Sequence, residues 1–157
     1  MSAPTIIQIE NIMEALENLL APLAVNGSEA GFKVVSRRFK TPDQVDASQT
    51  PALYILQGPI DSQRVGGLPA KQVLNVWLFL YTNPQVSEVL PSTTLNNAIT
   101  SVMSIMVDPL FPYQEQTLNG RVSNCWIEGV TMYDSGEVEP PGLAVLPVKI
   151  LVPTIAI

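Results

Sequence analysis

The sequence predicts an α+β fold: two amphipathic helices packed on a mostly antiparallel sheet of four to five strands, in a single domain. Three observations predict it. Residues 5–23 and 93–107 repeat apolar side chains at three- and four-residue steps, the period of a helix with one buried face. Segments near 32–40, 52–58, 71–82, 122–134 and 143–153 are strand-like runs bounded by Gly, Pro, Asn and Asp. A length of 157 residues suits one continuous core, and no repeat or long linker divides it.

In the first helix, Ile6, Ile9, Ile12, Met13, Leu16, Leu19, Leu20 and Leu23 form the apolar stripe, and Glu10, Glu14 and Glu17 form a solvated flank. "NGSEAG" then breaks the chain. "FKVVSRRFK" (32–40) alternates imperfectly and reads as a strand, 41–51 as a polar loop, and "ALYILQG" (52–58) as a short strand. "PIDSQRVGGLPA" (59–70) reads as a connection into the strand 71–82, which Asn83-Pro84 ends. In the second helix Ser92 is the expected N-cap and Asp108-Pro109 the expected end. Leu95, Ala98, Ile99, Val102, Met103, Ile105 and Met106 make its stripe, and no charge occurs from Thr93 to Val107. Pro147 places the last strand at a sheet edge or on a bulge.

The strand 71–82 poses the central question. Leu74, Val76, Leu78 and Leu80 point to one face; Val73, Trp77, Phe79 and Tyr81 point to the other, with Asn75 alone breaking that row. A sheet open to water normally has one apolar and one polar face. Two helices do not easily cover both faces. One is expected against the leucine side, leaving the aromatic side partly covered. Aromatic area left in water forfeits about 25 cal/mol per Å², and an exposed patch of that kind usually marks a contact site.

Composition restricts the function classes. The chain is 46% apolar and only 14% charged, where about 25% charged is ordinary, which favours self-association. Cys125 is the single cysteine, so no internal disulfide forms, and it reads as a buried structural thiol. There is no histidine, which removes the commonest general base and most zinc sites. No phosphate-loop, dinucleotide or metalloprotease spacing occurs. Asp134, Glu137 and Glu139 lack calcium-loop spacing and read as a solvated hairpin tip. No active site, cofactor or metal is expected. The acidic start lacks signal-peptide character, and no apolar run approaches the roughly 18 residues of a membrane span. Net charge is -6, yet residues 33–71 hold six bases against three acids. An acidic body does not grip phosphate, and "GFKVVSRRFK" lacks the aromatic pattern of an RNA-binding strand.

Taken in order behind the N-terminal helix, "QTPALYILQG", "VWLFLYTNP", "TTLNNAITSVMSIMVDPL", "NCWIEGVTMYDSG" and "GLAVLPVKILVP" resemble the tail terminator (tail completion) proteins of tailed bacteriophages, over roughly residues 5–153. The resemblance implies a non-enzymatic virion subunit, assembled in the host cytoplasm, that closes into a ring, typically hexameric. Such a ring caps the head-proximal end of the tail tube and stops its polymerisation. Its partners are the tube protein and the head connector, and DNA crosses the channel without specific contact. A head-completion or connector-stopper subunit, a nucleic-acid-binding module and an enzyme subunit active only in complex are the competing classes. For the subunit contact the sequence offers two sets of residues. One is the aromatic row Trp77, Phe79 and Tyr81. The other is Arg37 or Arg38 pairing with Glu10, Glu14 and Glu17 across the subunit boundary.

Overall fold

The computed structural model describes residues 9–24, 31–64, 66–67, 71–83, 91–107, 116–129, 131–136 and 141–152. In chain order the elements are α1 (Ile9–Leu20), β1 (Val34–Ser36), β2 (Ala52–Gln63), β3 (Lys71–Thr82), α2 (Pro91–Ile105), β4 (Asn124–Ile127), β5 (Met132–Asp134) and β6 (Gly142–Val152). Short 3-10 turns occupy Ala21–Ala24, Pro42–Gln44 and Ala47–Gln49. Ile6, residues 25–30, Pro84, Asp108 and Pro109, and Glu137 and Glu139 lie outside the described residues.

The strands form one mixed sheet in the order β1-β2-β3-β6-β4, with β5 also paired to β6. β1 runs parallel to β2 and every other pairing is antiparallel. β3 sits at the centre, between β2 and β6 along its whole length, so its continuous apolar character is that of a strand with neighbours on both sides. Both helices, not one, lie on the leucine side. Ile12, Met13, Leu16 and Leu20 of α1 and Leu95, Ala98 and Val102 of α2 join Leu53, Ile55, Leu74, Val76, Leu78, Leu80, Leu146, Val148 and Ile150 in one buried cluster. Each large side chain so buried is worth about 1.5–3 kcal/mol. The 3-10 turn after α1 contains Pro22, which cannot extend the α-helical ladder, and it seats Leu23 at the edge of the core. Phe32, nearly fully buried, ties the chain back by donating its N–H to the Leu23 carbonyl at 3.1 Å.

Three strands differ from their expected extents, each for a local reason. The strand expected over 32–40 is three residues long. After it the Ser36 hydroxyl accepts the Arg38 N–H at 3.0 Å, a local turn that competes with further pairing. β2 does not stop at Gly58 but continues to Gln63. Gly58 and Pro59 together lie opposite Asn75, a bulge that lets the strand pass a proline. The strand expected over 122–134 is divided into β4 and β5, both laid along β6, and Pro147 explains the division. Its carbonyl accepts the Glu128 N–H at 3.1 Å, so its backbone polar groups face the outer neighbour, where a proline has no N–H to give. On the β3 side its partner is Trp77, and that ladder runs unbroken. β6 is therefore an inner strand whose proline interrupts the edge beside it. With the β4/β5 split the sheet counts six strands.

Candidate functional site: the helix-free face of the sheet

With both helices on one face, the opposite face is built from rows of residues that the strand register places side by side. The first two rows are Ala52, Tyr81, Leu143 and Asp134, then Tyr54, Phe79, Val145 and Met132. The third is Leu56, Trp77 and Pro147. The fourth contains Asn75, Lys149 and Trp126, and the fifth Asp61, Val73, Leu151 and Asn124. Along this face the chemistry passes from aromatic, through uncharged apolar, to ionic.

The aromatic end has a cover that the sequence did not disclose. Residues 37–50, with their two 3-10 turns, cross over the β2–β3 end as a strap. Phe39 and Val45 pack against a small cluster of Ala52, Tyr54 and Tyr81. The Tyr81 hydroxyl donates to the Lys40 carbonyl at 2.8 Å, and Phe39 meets Phe79 edge-on at 4.7 Å between ring centres. Tyr81 is fully buried, so the expected aromatic row is not uniform. Tyr81 lies inside the fold, Phe79 is half-buried against the strap, and Trp77 is half-buried beyond it. Burial, with lesser contributions from Tyr54 and Asp43, pushes the Tyr81 phenol up to about 12. Its folded value exceeds the roughly 10 of an exposed tyrosine. Its contribution to stability is thus fully present below pH 10 and is lost as pH rises through about 12. An absorbance titration of the phenolates should therefore show a late step at about 12 from Tyr81, with Tyr54 also raised by its burial. Tyr81→Phe should remove that step.

The middle of the face is uncharged and has less cover. Leu56, Trp77, Phe79 and Pro147 are half-buried, and Met132 is 64% exposed. Gly58 is required here. A Cβ on it would lie 2.3 Å from the Trp77 ring, so the indole occupies the space a side chain at this position would need.

At the far end, Asn75 is explained by the same bulge. It is 7% exposed, and its amide donates to the Pro59 carbonyl and to the Asp61 carboxylate, both at 2.9 Å, while its oxygen accepts from the Lys149 ammonium. Asp61, Lys71, Trp126, Glu128 and Lys149 surround an open depression of about 250 Å³ beside it. The polar residue in the aromatic row is thus an internal patch over an irregular ladder.

The ionic candidates are separated as well. Arg37 pairs with Glu10 of the same chain at 2.6 Å. Its hydrogen bonds hold the Glu10 carboxyl below the usual range, and Glu10 in turn raises Arg37, with smaller contributions from Glu17 and Glu14. Arg38, the next residue, is exposed, as is Glu14, and Glu17 is half-buried on the α1 flank. Leu56, Met132 and Pro147, which widen the uncharged band, were missed in the sequence. β5 has only three residues, too few for a periodic signal. Cys125 is 2% exposed and burial pushes its thiol up to about 12, which makes it inert. Among the described residues no three His, Cys, Asp or Glu side chains come together as a metal site, and no helix is long and apolar enough to cross a membrane.

No protein-family model matches the chain, and neither does any curated protein. Among solved structures it is similar to a chain of the virion of a native gene transfer agent (GTA) particle, at 13% identity and a TM-score of 0.49, covering 90% of this chain and 96% of that one.

Proposed function

We propose that the protein is a tail terminator: a non-enzymatic virion subunit that closes into a ring, typically hexameric, on the head-proximal end of a phage tail tube. The ring ends tube polymerisation and presents a docking surface to the head connector, and DNA passes through without specific contact. The observation that carries this reading is the uncharged middle of the helix-free face. Both helices are committed to the other side and the strap reaches only the aromatic end. Leu56, Trp77, Pro147 and Met132 therefore form apolar surface suited to a neighbouring protein. The order of elements that resembles the terminator family supports the same reading, as does a chain with so few charges.

The test is the native mass of the purified protein, alone and with tail tubes, joined to a measurement of tube length. A closed ring is expected, at least on tubes, and adding the protein to polymerising tube subunits should halt elongation. A strict monomer at high concentration and with tubes present overturns the proposal. A ring that binds heads and ignores tubes would instead make it a connector-stopper.

A further inference from the structure

We infer that the neighbour covering the uncharged rows is a second copy of this chain, and that it presents the outer side of α2. This rests on the ring reading above and names the two surfaces that meet. The outward line of α2 is Asn96, Thr100, Met103 and Ser104, continued by Val107, and all five are exposed. Met103 is 41% exposed and Val107 43% exposed, two of the few large apolar side chains so placed. No Asp, Glu, Lys or Arg occurs from Thr93 to Val107. The other helix on the same face, α1, carries Glu10, Glu14 and Glu17. Burying that flank would take Glu14 and Glu17 out of water while Arg37 is already paired with Glu10, whereas burying α2 strands no charge.

The receiving surface matches in charge and in size. Leu56, Trp77, Phe79, Pro147 and Met132 include no ionisable group and are bounded by the strap on one side and by Asp61, Lys71 and Lys149 on the other. A helix of 15 residues is roughly 22 Å long and crosses the strands β2, β3, β6 and β5, which span roughly 14 Å. The two surfaces lie on opposite sides of the sheet. A contact between unlike surfaces is heterologous, so each copy leaves one surface free for the next, and the series ends only by closing into a ring.

Cys125 stays silent toward thiol reagents, which makes cross-linking the direct test. Met103→Cys and Met132→Cys are prepared separately, at exposed positions that leave the core intact, and folding of each is checked by circular dichroism. Under the conditions in which the ring forms, an equal mixture treated with a short bismaleimide should give covalent dimers, and each variant alone should give none. The double variant should give a ladder ending at the ring. Self-cross-linking of either single variant would show a two-fold contact and overturn the assignment. Failure to cross-link in a sample whose native mass is that of a ring would place the contact elsewhere and leave the ring reading standing. A monomer in every condition, tubes included, would remove the ring reading and this assignment with it.

Discussion

Replacing Asn75 with alanine is expected to destabilise the fold by about 1–3 kcal/mol, because the nearly buried amide is lost and the half-buried Lys149 ammonium is left short of a partner. The Pro59 carbonyl, turned out of the ladder by the bulge, loses the amide at 2.9 Å, and the Lys149 ammonium loses its acceptor. With a urea dependence of about 1–3 kcal/mol per molar for a domain of this size, the midpoint should fall by roughly 1 M. Asp61 and the Pro59 carbonyl both lie in the exposed half of β2, and water replaces the amide at each. Lys149→Met should cost less than Asn75→Ala, and the two should be non-additive, because they share one hydrogen bond. A change below about 0.5 kcal/mol for Asn75→Ala would mean that water already reaches the bulge, and the patch would not be structural.

The same residue shows what the sequence disclosed and what it withheld. Alternation along β3 predicted both rows of side chains and the break at position 75, because period-two patterning is local and the strand has twelve uninterrupted residues. The purpose of the break was not legible. It depends on Gly58 and Pro59, seventeen and sixteen positions earlier, which read as the end of a strand. A bulge keeps the strand going where composition alone suggests a stop. The division of β4 from β5 has a similar origin in Pro147, fifteen or more residues away from either strand's near end in β6's ladder. Contacts of that range leave no periodic trace.

The candidate site was legible in part for a related reason. Unequal cover of the two faces followed from counting helices against strands, and both helices lie on the leucine side. The strap was not legible, since residues 41–51 are polar and give no sign that Phe39 and Val45 reach an aromatic cluster. The basic strand and the glutamate flank were recognised as complementary. Arg37 and Glu10 meet within the subunit because β1 lies beside α1, a proximity set by the parallel pairing of β1 with β2. Only Arg38, Glu14 and Glu17 remain for a neighbour, and exposed pairs of that kind are worth about 0–1 kcal/mol each.

Aspartate substitutions along the aromatic row should separate stability from assembly. At Tyr81, fully buried under the strap, a carboxylate would replace the hydroxyl that donates to the Lys40 carbonyl and would face that carbonyl with no proton to give. Tyr81→Asp is therefore expected to cost about 4 kcal/mol or more, since it empties an aromatic site and buries a charge together. At Trp77 the ring lies over Gly58 on the uncharged band, half open to water. Trp77→Asp should cost only about 1–2 kcal/mol of subunit stability, because the carboxylate reaches solvent. In the assembled ring the same carboxylate would be buried between copies without a partner, at about 3–5 kcal/mol per contact, enough to weaken each contact by more than about a hundredfold. Phe79→Asp falls between them, since Phe79 meets Phe39 of the strap and also borders the band. Thermal melts by circular dichroism, with native mass on the same samples, give both readouts. The expected pattern is a folded, monomeric Trp77→Asp and a largely unfolded Tyr81→Asp. If Trp77→Asp forms rings as readily as the unmodified chain, the band it lies in is not the contact, and the helix-free face loses its assigned role.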